Sequence, residues 1–127
     1  MRRHLGLIVL IATTSIASAA EPITLVCSGQ MWAPQHNIDG RDLPPQSLIV
    51  DFDSKEVRGS LGRFTLTETS DSHISFEAQY NQNGERRVTS GRLDRISGFA
   101  SLTQGRAGET SFSTVYQLKC THTPRLF

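Results

Sequence analysis

Two cysteines, Cys27 and Cys120, lie near the two ends of the chain that remains once an N-terminal export signal is removed. In an oxidising compartment, two cysteines of one small domain usually pair. Closing a loop of 93 residues stabilises the folded state by about 4 to 5 kcal/mol in the chain-entropy model. A metal pair or a reactive thiol is the alternative, but only His122 stands near either cysteine at a ligand-like spacing. We therefore predict a Cys27–Cys120 disulfide.

The first residues have the features of a secretion signal. A positive start, Arg2 and Arg3, precedes an apolar run over residues 5–11, and residues 17–19 (Ala-Ser-Ala) fit the pattern that signal peptidase cleaves. A membrane anchor is the competing interpretation, but polar residues interrupt the roughly 20 apolar residues that would span a bilayer. We predict a cleaved signal peptide over residues 1–20, no remaining membrane anchor, and a periplasmic or secreted protein exported by the general or the twin-arginine route.

The mature chain, residues 21–127, has the length of a single domain. It keeps 11 of the 13 basic residues against 12 acidic ones, a formal charge of −1 with histidine neutral. No basic stripe indicates nucleic-acid binding, and no acidic run indicates a solvating tail. We therefore predict one small domain that does not bind nucleic acid.

Apolar and polar residues alternate along the mature chain, a period of two that is typical of β-strands. The last run is the clearest, since Tyr116, Leu118 and Cys120 share one face and Gln117 and Lys119 share the other. Both cysteines fall on apolar faces, as a buried bridge requires. The pattern predicts seven or eight strands, at residues 22–31, 46–53, 55–61, 63–69, 72–80, 85–94, 97–104 and 110–120.

Turn sequences separate these strands. Residues 53–55 suit a tight reversal, and Asn83-Gly84 is a dipeptide typical of β-hairpins. Gly59 and Gly62 predict a sharp bend that divides residues 56–69 into two strands. Short connections between successive strands indicate an antiparallel meander.

One predicted strand, residues 85–94, interrupts the alternation. Val88 and Leu93 fall on opposite faces unless one residue is inserted between them. Glycine inside a strand often marks such an insertion. We therefore predict a β-bulge at Ser90-Gly91.

An open meander of this length would leave two unpaired edges, which is an aggregation hazard in an exported protein. Pairing of the first strand with the last removes both edges, and the predicted disulfide joins these same strands. We therefore predict an all-β fold, an antiparallel meander of seven to eight strands closed into a small barrel or barrel-like sandwich. An eight-stranded barrel is filled by side chains or holds one small ligand.

The one long segment without alternation is residues 31–46, which holds three of the five prolines. Long loops in compact domains are either binding elements or simple covers. As a binding element, the segment would be a lid over a barrel mouth with a tryptophan as its apolar anchor. As a cover, it would be a packed connection whose tryptophan plugs the barrel end. The candidate ligand-binding residues of this loop are Trp32, His36, Asp39, Arg41 and Asp42.

The densest cluster of charge forms a second candidate site, with Arg86, Arg87, Arg92 and Arg95 as its residues. Arginine forks match carboxylates and phosphates, so the cluster would suit an anionic ligand. The alternative is a cross-strand ion-pair ladder that includes Arg92 and Asp94, which share one face. We also expect Asp94 to shape the following turn by accepting hydrogen bonds from backbone amides.

The sequence contains no familiar catalytic or metal-binding pattern. His36, His73 and His122 are scattered over a loop, a strand and the tail, at spacings that bring no two together. A Gly-x-Ser-x-Gly elbow, a phosphate-binding loop and a calcium-binding loop are all lacking. We predict no metal, no cofactor and no enzymatic activity.

Several short motifs carry a resemblance to a known group of proteins. They are residues 25–29 (LVCSG), 49–53 (IVDFD), 91–98 (GRLDRISG) and 116–120 (YQLKC). Together they resemble a group of functionally uncharacterised small secreted proteins of alphaproteobacteria. The resemblance covers essentially the whole mature chain and implies export to the periplasm, and no catalytic residues carry over from it.

These features predict a non-enzymatic periplasmic binding domain or envelope accessory domain. Its partner, an unknown small molecule or an envelope or host protein, would engage residues 31–46 and the adjoining barrel mouth. Two alternatives from other classes remain open. One is a secreted inhibitor of a hydrolase that presents the loop as a plug, and the other is a hydrolytic enzyme.

Overall fold

Eight β-strands form one closed antiparallel barrel in the computed structural model, which describes Gly6 and residues 21–108 and 112–123. The predicted all-β meander closed into a barrel is confirmed. The predicted signal peptide, residues 1–20, lies outside the described residues except for Gly6. The strands are β1 (Ile23–Ala33), β2 (Ile38–Asp51), β3 (Glu56–Gly59), β4 (Gly62–Thr69), β5 (His73–Gln82), β6 (Glu85–Asp94), β7 (Phe99–Arg106) and β8 (Phe112–His122).

Pairing between the first and last strands closes the barrel. β8 pairs with β1 continuously along residues 25–32 of β1. Cys27 lies directly opposite Cys120 in this register, and a disulfide with an S–S distance of 2.04 Å joins them. Both cysteines are buried, which confirms the predicted bridge and its place on the inner face. A disulfide is consistent with an oxidising compartment outside the cytoplasm.

Side chains fill the middle of the barrel. Alternate residues of each strand point inward, and the buried apolar cluster consists of Leu25, Cys27, Leu48, Val50, Val57, Phe64, Leu66, Ile74, Phe76, Leu93, Ala100, Leu102, Leu118 and Cys120. The rings of Phe64 and Phe76 pack in a tilted arrangement with their centroids 5.2 Å apart, a favourable geometry for aromatic pairs. This part of the barrel is therefore a packed core.

The expectation of an irregular loop over residues 31–46 is wrong. β1 continues to Ala33 and β2 begins at Ile38, so the segment is mostly a long β-hairpin. Only a 3-10 turn, Pro34–His36, and Asn37 lie between the two strands. Asn37 adopts the left-handed conformation, with φ of 56°, and ends the turn.

Pro44 and Pro45 lie inside β2 because two local features remove the need for their missing N–H groups. Both stand in a bulge, opposite the single residue Ser28 of β1. On its other side β2 pairs with β3 only over residues 48–51, so residues 38–46 form a free edge within the described part of the chain. Proline is tolerated in sheets at edges and bulges for this reason.

The predicted bulge at Ser90-Gly91 is also wrong. β6 pairs with both of its neighbours without a register shift at these residues. Gly91 faces the interior, where a Cβ atom would lie 2.1 Å from the ring of Phe76. Glycine is required there because the aromatic ring occupies the space of a side chain. Regular alternation therefore continues, and it places Val88 on the face opposite to buried Leu93.

The predicted tight turns are confirmed. Asn83 and Gly84 both have positive φ, 52° and 78°, as a type I′ hairpin requires. Gly59 pairs with Gly62, so a two-residue turn separates β3 from β4 at the predicted bend. These turns set the order of the strands around the barrel.

We predict that the double variant Cys27→Ala/Cys120→Ala loses about 3 to 5 kcal/mol of unfolding free energy, because the unfolded chain is no longer restrained by the cross-link. Denaturant unfolding of the oxidised proteins measures the loss. Reduced wild-type protein is the matched control and should fall to a similar stability. A double variant as stable as the oxidised wild type would contradict the prediction.

We predict that Gly91→Ala lowers the free energy of unfolding by about 1 to 3 kcal/mol, because the new methyl group meets the Phe76 ring in a packed core. In a Phe76→Leu background, which opens space beside residue 91, the same substitution should cost clearly less. Denaturant unfolding of the wild type, both single variants and the double variant gives the coupling. Equal losses in the two backgrounds would rule out the steric explanation.

Candidate functional site

The barrel has a groove on its outer surface and an opening at each end, with volumes of about 510, 520 and 380 Å³. We call them the outer groove (from Trp32 to Phe99), the apolar mouth (around Ile23 and Phe52) and the polar mouth (around Tyr80 and Arg87). The two mouths differ because the inward side chains are apolar at the end where β1 begins and polar at the end where β8 begins. The same strands therefore supply two chemically different openings.

The outer groove crosses the outward faces of β1, β8, β7 and β6. Its outward-facing side chains are Ser28, Gln30, Trp32, Arg92, Asp94, Phe99, Ser101, Gln117 and Lys119. The register separates Trp32 from Phe99 by two strands and four residues, which is roughly 17 Å on a flat sheet. Trp32 is half-buried and Phe99 is 62% exposed. The groove therefore has an aromatic ring at each end and polar side chains between them.

A bulge in β2 supports Trp32. Two residues of β2, Asp39 and Gly40, stand opposite Trp32 alone. Gly40 has a φ of 66°, a conformation that favours glycine, and a Cβ atom at this position would lie 3.5 Å from the indole nitrogen. Trp32 therefore lies on the outer face of the barrel, and not over or inside a barrel mouth as expected.

The polar side chains of the groove are partly engaged and partly open. Lys119 Nζ donates a hydrogen bond to the backbone carbonyl of Ser97 and lies 4.4 Å from the centroid of the Phe99 ring. The side chains of Arg92 and Gln117 make no hydrogen bond or ion pair with the described part of the chain. Their donors and acceptors are available to a ligand.

The groove crosses the covalent junction between the first and last strands. Ser28 follows Cys27, and Lys119 precedes Cys120, so the disulfide lies directly behind the floor of the groove. The floor is held both by backbone pairing and by a covalent bond. A surface that is already rigid loses little conformational entropy when a ligand binds.

The apolar mouth is lined by inward side chains of four strands, namely Ile23, Leu25, Val50, Ile74 and Leu93, and by Phe52 of the turn after β2. The turn between β6 and β7 stands at its rim. Asp94 Oδ1 accepts hydrogen bonds from the backbone amides of Ile96 and Ser97, at 2.8 and 2.9 Å. The predicted role of Asp94 in shaping this turn is confirmed. Both hydrogen bonds lower the pKa of Asp94 because they favour the charged carboxylate, and the bond from Ser97 has the larger effect.

The polar mouth lies at the opposite end of the barrel. Tyr80, Arg87 and Gln104 line it from three neighbouring strands, and His36 of the 3-10 turn lies at its rim. Arg87 Nη2 donates a hydrogen bond to Ser113 Oγ at 2.7 Å. This mouth concentrates hydrogen-bonding groups, whereas the other end of the barrel concentrates aliphatic ones.

The structure separates the residues that were predicted to form one loop site. Trp32 lies in the outer groove, and His36 lies at the rim of the polar mouth. Asp39, Arg41 and Asp42 are exposed along the free edge of β2. Charged side chains and prolines on an edge strand oppose pairing with another chain. Protection of this edge therefore explains the presence of these three charged residues.

The four arginines of the predicted charged patch face three directions, so a single patch is wrong. Arg86 and Arg92 are exposed on the outer face, Arg87 faces the polar mouth, and Arg95 stands at the apolar mouth. Neighbouring strand residues point to opposite faces, and β6 runs from one mouth to the other. The Arg95 guanidinium lies 5.2 Å from the centroid of the Phe52 ring, a cation–π contact.

Phe99, Gln117 and Tyr80 are candidate site residues that sequence reasoning missed. Alternation correctly placed Gln117 on the face opposite to Cys120. The pattern of a single strand does not show which outer faces join to form a concave surface, because that depends on twist and on neighbouring strands. The sequence offered one signal for Phe99, an aromatic residue near the start of a strand on the face opposite to Ala100 and Leu102.

Within residues 21–108 and 112–123, no group of three or more His, Cys, Asp and Glu side chains is placed to hold a metal ion. No helix in this part of the chain is long and apolar enough to cross a membrane. Comparison with protein families, with curated proteins and with solved structures finds no match.

We predict that Asp94→Asn destabilises the protein most near neutral pH. The lowered pKa of Asp94 means that its charged form stabilises the folded state above the pKa of the unfolded chain, and this contribution is lost as the pH falls below about 4. Thermal unfolding across this pH range should therefore show the wild type and the variant converging. Asp71→Asn, in the exposed turn before β5, is the matched control. A difference that stays constant down to the lowest pH would contradict the prediction.

Proposed function

We propose that the protein is a non-enzymatic binding domain of the periplasm or the extracellular space, and that it binds a glycan in the outer groove. The observation that carries the proposal is the pair of aromatic side chains, Trp32 and Phe99, at opposite ends of a groove with polar side chains between them. Aromatic rings offer flat apolar faces, which pack against the C–H face of a sugar ring. Amide, guanidinium and hydroxyl groups between the rings suit the hydroxyls of a sugar.

The shape of the groove favours an extended ligand over a small compact one. Small molecules are usually held in cavities that bury most of their surface, whereas this groove lies open on the side of a barrel. The separation of Trp32 and Phe99, roughly 17 Å, exceeds the length of a single sugar ring. An oligosaccharide that contacts both rings at once would therefore use the whole groove.

The charges of the groove suit a neutral or acidic glycan. Arg92 and Lys119 are cationic, and Asp94 is the only acidic side chain among the described residues that line this groove. The carboxylate of Asp94 is already engaged by two backbone amides. An acidic sugar would meet the guanidinium of Arg92, which matches carboxylate geometry.

The compartment supports the same proposal. The disulfide favours a location outside the cytoplasm, and the signal peptide predicted over residues 1–20 points the same way. Envelope glycans are found in the periplasm and at the cell surface, so the proposed ligand and the proposed location agree.

The hydrolase-inhibitor hypothesis receives less support from the geometry. Its predicted plug was the segment 31–46, most of which is paired strand. Between β1 and β2 only residues 34–37 remain as a hairpin tip. We therefore place the binding surface on the outer groove, and we assign no catalytic role.

Trp32 is the only tryptophan of the chain, so intrinsic fluorescence reports on the outer groove directly. We expect a saturable change in this fluorescence when the oxidised protein is titrated with peptidoglycan fragments or with N-acetylhexosamine oligosaccharides. Phe99→Ala should weaken the binding at least about tenfold, because one of the two stacking surfaces is lost. Trp32→Ala, measured by calorimetry, should have a similar effect.

Phe112→Ala is the matched control. Phe112 is 55% exposed and lies outside the groove, so its loss should leave the affinity unchanged. The proposal fails if no glycan produces a saturable signal, or if the Phe112 and Phe99 variants bind equally weakly. Capture of a hydrolase by the wild type, with no glycan binding, would favour the inhibitor hypothesis instead.

A further inference from the structure

The polar mouth contains a cationic side chain whose charge is only weakly compensated. Arg87 has a side chain that is 20% exposed, and its Nη1 lies 3.9 Å from Glu85 Oε2. The same glutamate makes a shorter ion pair of 2.9 Å with Arg106 Nη2. One carboxylate therefore faces two guanidinium groups. Partial burial reduces the screening of the remaining positive charge by water.

Hydrogen bonds fix the orientation of this guanidinium. Arg87 Nη2 donates to Ser113 Oγ at 2.7 Å, and Ser113 Oγ donates to the backbone carbonyl of Gln104 at 3.2 Å. A guanidinium has five N–H donors, and the bond to Ser113 is the one hydrogen bond that the Arg87 guanidinium makes with the described part of the chain. The group is therefore held in place while most of its donors stay available.

Two tyrosines add hydroxyl groups to the same end of the barrel. Tyr80 lines the mouth, and Tyr116 lies on the inward face of β8, packed against the core. Burial raises the pKa of Tyr116, and the charge of Tyr80 adds to the rise. The phenol of Tyr116 therefore stays protonated at physiological pH. Neither hydroxyl makes a hydrogen bond within the described part of the chain.

We propose that the polar mouth binds the carboxylate or phosphate group of a small molecule, with the fork of Arg87 as the main contact and the Tyr80 hydroxyl as a further donor. Arginine matches both oxyanions because its parallel N–H groups fit two oxygens at once. The volume of about 380 Å³ is in the range of small-molecule sites. Among the described residues that line this mouth, Glu85 is the only acidic one.

This site is independent of the proposed glycan-binding function. Within residues 21–108 and 112–123, no residue lines both the outer groove and the polar mouth. The barrel would thus carry two separate binding surfaces, one on its side and one at its end.

The chain has two tyrosines. Tyr80 lines the polar mouth, and Tyr116 is close enough for the charge of Tyr80 to raise its pKa, so the absorbance of tyrosinate during an alkaline titration reports on the site. A bound anion disfavours the charged phenolate, so inorganic phosphate or acetate should move the tyrosine titration to higher pH. Chloride at matched ionic strength serves as the reference. At neutral pH, the NMR signal of the Arg87 side-chain N–H should shift and saturate with the same anions.

Arg87→Gln should lower the affinity for the anion at least about tenfold, whereas Arg86→Gln should leave it unchanged. The two variants lose the same charge, but Arg86 lies on the outer face. If the glutamine variant at position 87 does not fold, Arg87→Lys replaces it. That variant keeps the charge but loses the fork, so we expect weaker binding than in the wild type.

If only phosphate shifts the tyrosine titration and the Arg87 signal in a saturable way, the ligand is a phosphorylated molecule. If only acetate does so, the ligand is an organic acid. Either result supports the site. The proposal is overturned if neither anion saturates, if the two glutamine variants weaken binding equally, or if the lysine variant binds as well as the wild type. Trp32→Ala should leave anion binding intact, which separates this test from that of the glycan.

Discussion

The pairing of β1 with β8 is the constraint on which the rest of the structure depends. All other strand pairs join neighbours in the chain through short turns and form at a small entropic cost. β1 and β8 stand at opposite ends of the chain, and the disulfide offsets the cost of bringing them together. Without this pair the sheet would have two open edges, the floor of the outer groove would be divided, and neither mouth would be an enclosed opening.

Most of the barrel could be predicted because every strand has one buried face, and alternation reveals that face directly. The predictions were wrong at proline and glycine, because each of these residue types occurs both in irregular segments and at special positions inside strands. Pro44 and Pro45 indicated a loop, but they occupy a bulge on a free edge. Gly91 indicated a bulge, but it makes room for the Phe76 ring. In both cases the conformation depends on a residue or an edge of another strand, which the sequence of a single strand does not show.

The candidate sites were harder to predict than the fold. Trp32 stood out by its type, but Phe99 reaches the same surface only through the register of three strands. Arg86 and Arg87 are adjacent in the sequence, yet they serve opposite faces of the sheet. A shift of one residue in pairing would exchange them. Site prediction therefore required a register that composition and motifs do not specify.

The hairpin of β1 and β2 extends beyond β3, so part of β2 has no neighbour on one side. The residues of this free edge explain how the protein tolerates the overhang. A hairpin that extends beyond its neighbour exposes unpaired backbone, which would ordinarily template the growth of fibrils from molecule to molecule. Two prolines without N–H groups and a row of charges suppress that growth. The overhang is thereby tolerated, and it contains the bulge of β2 that supports Trp32 of β1. Replacement of the prolines by β-branched residues would restore the missing N–H groups and favour pairing of this edge with another molecule.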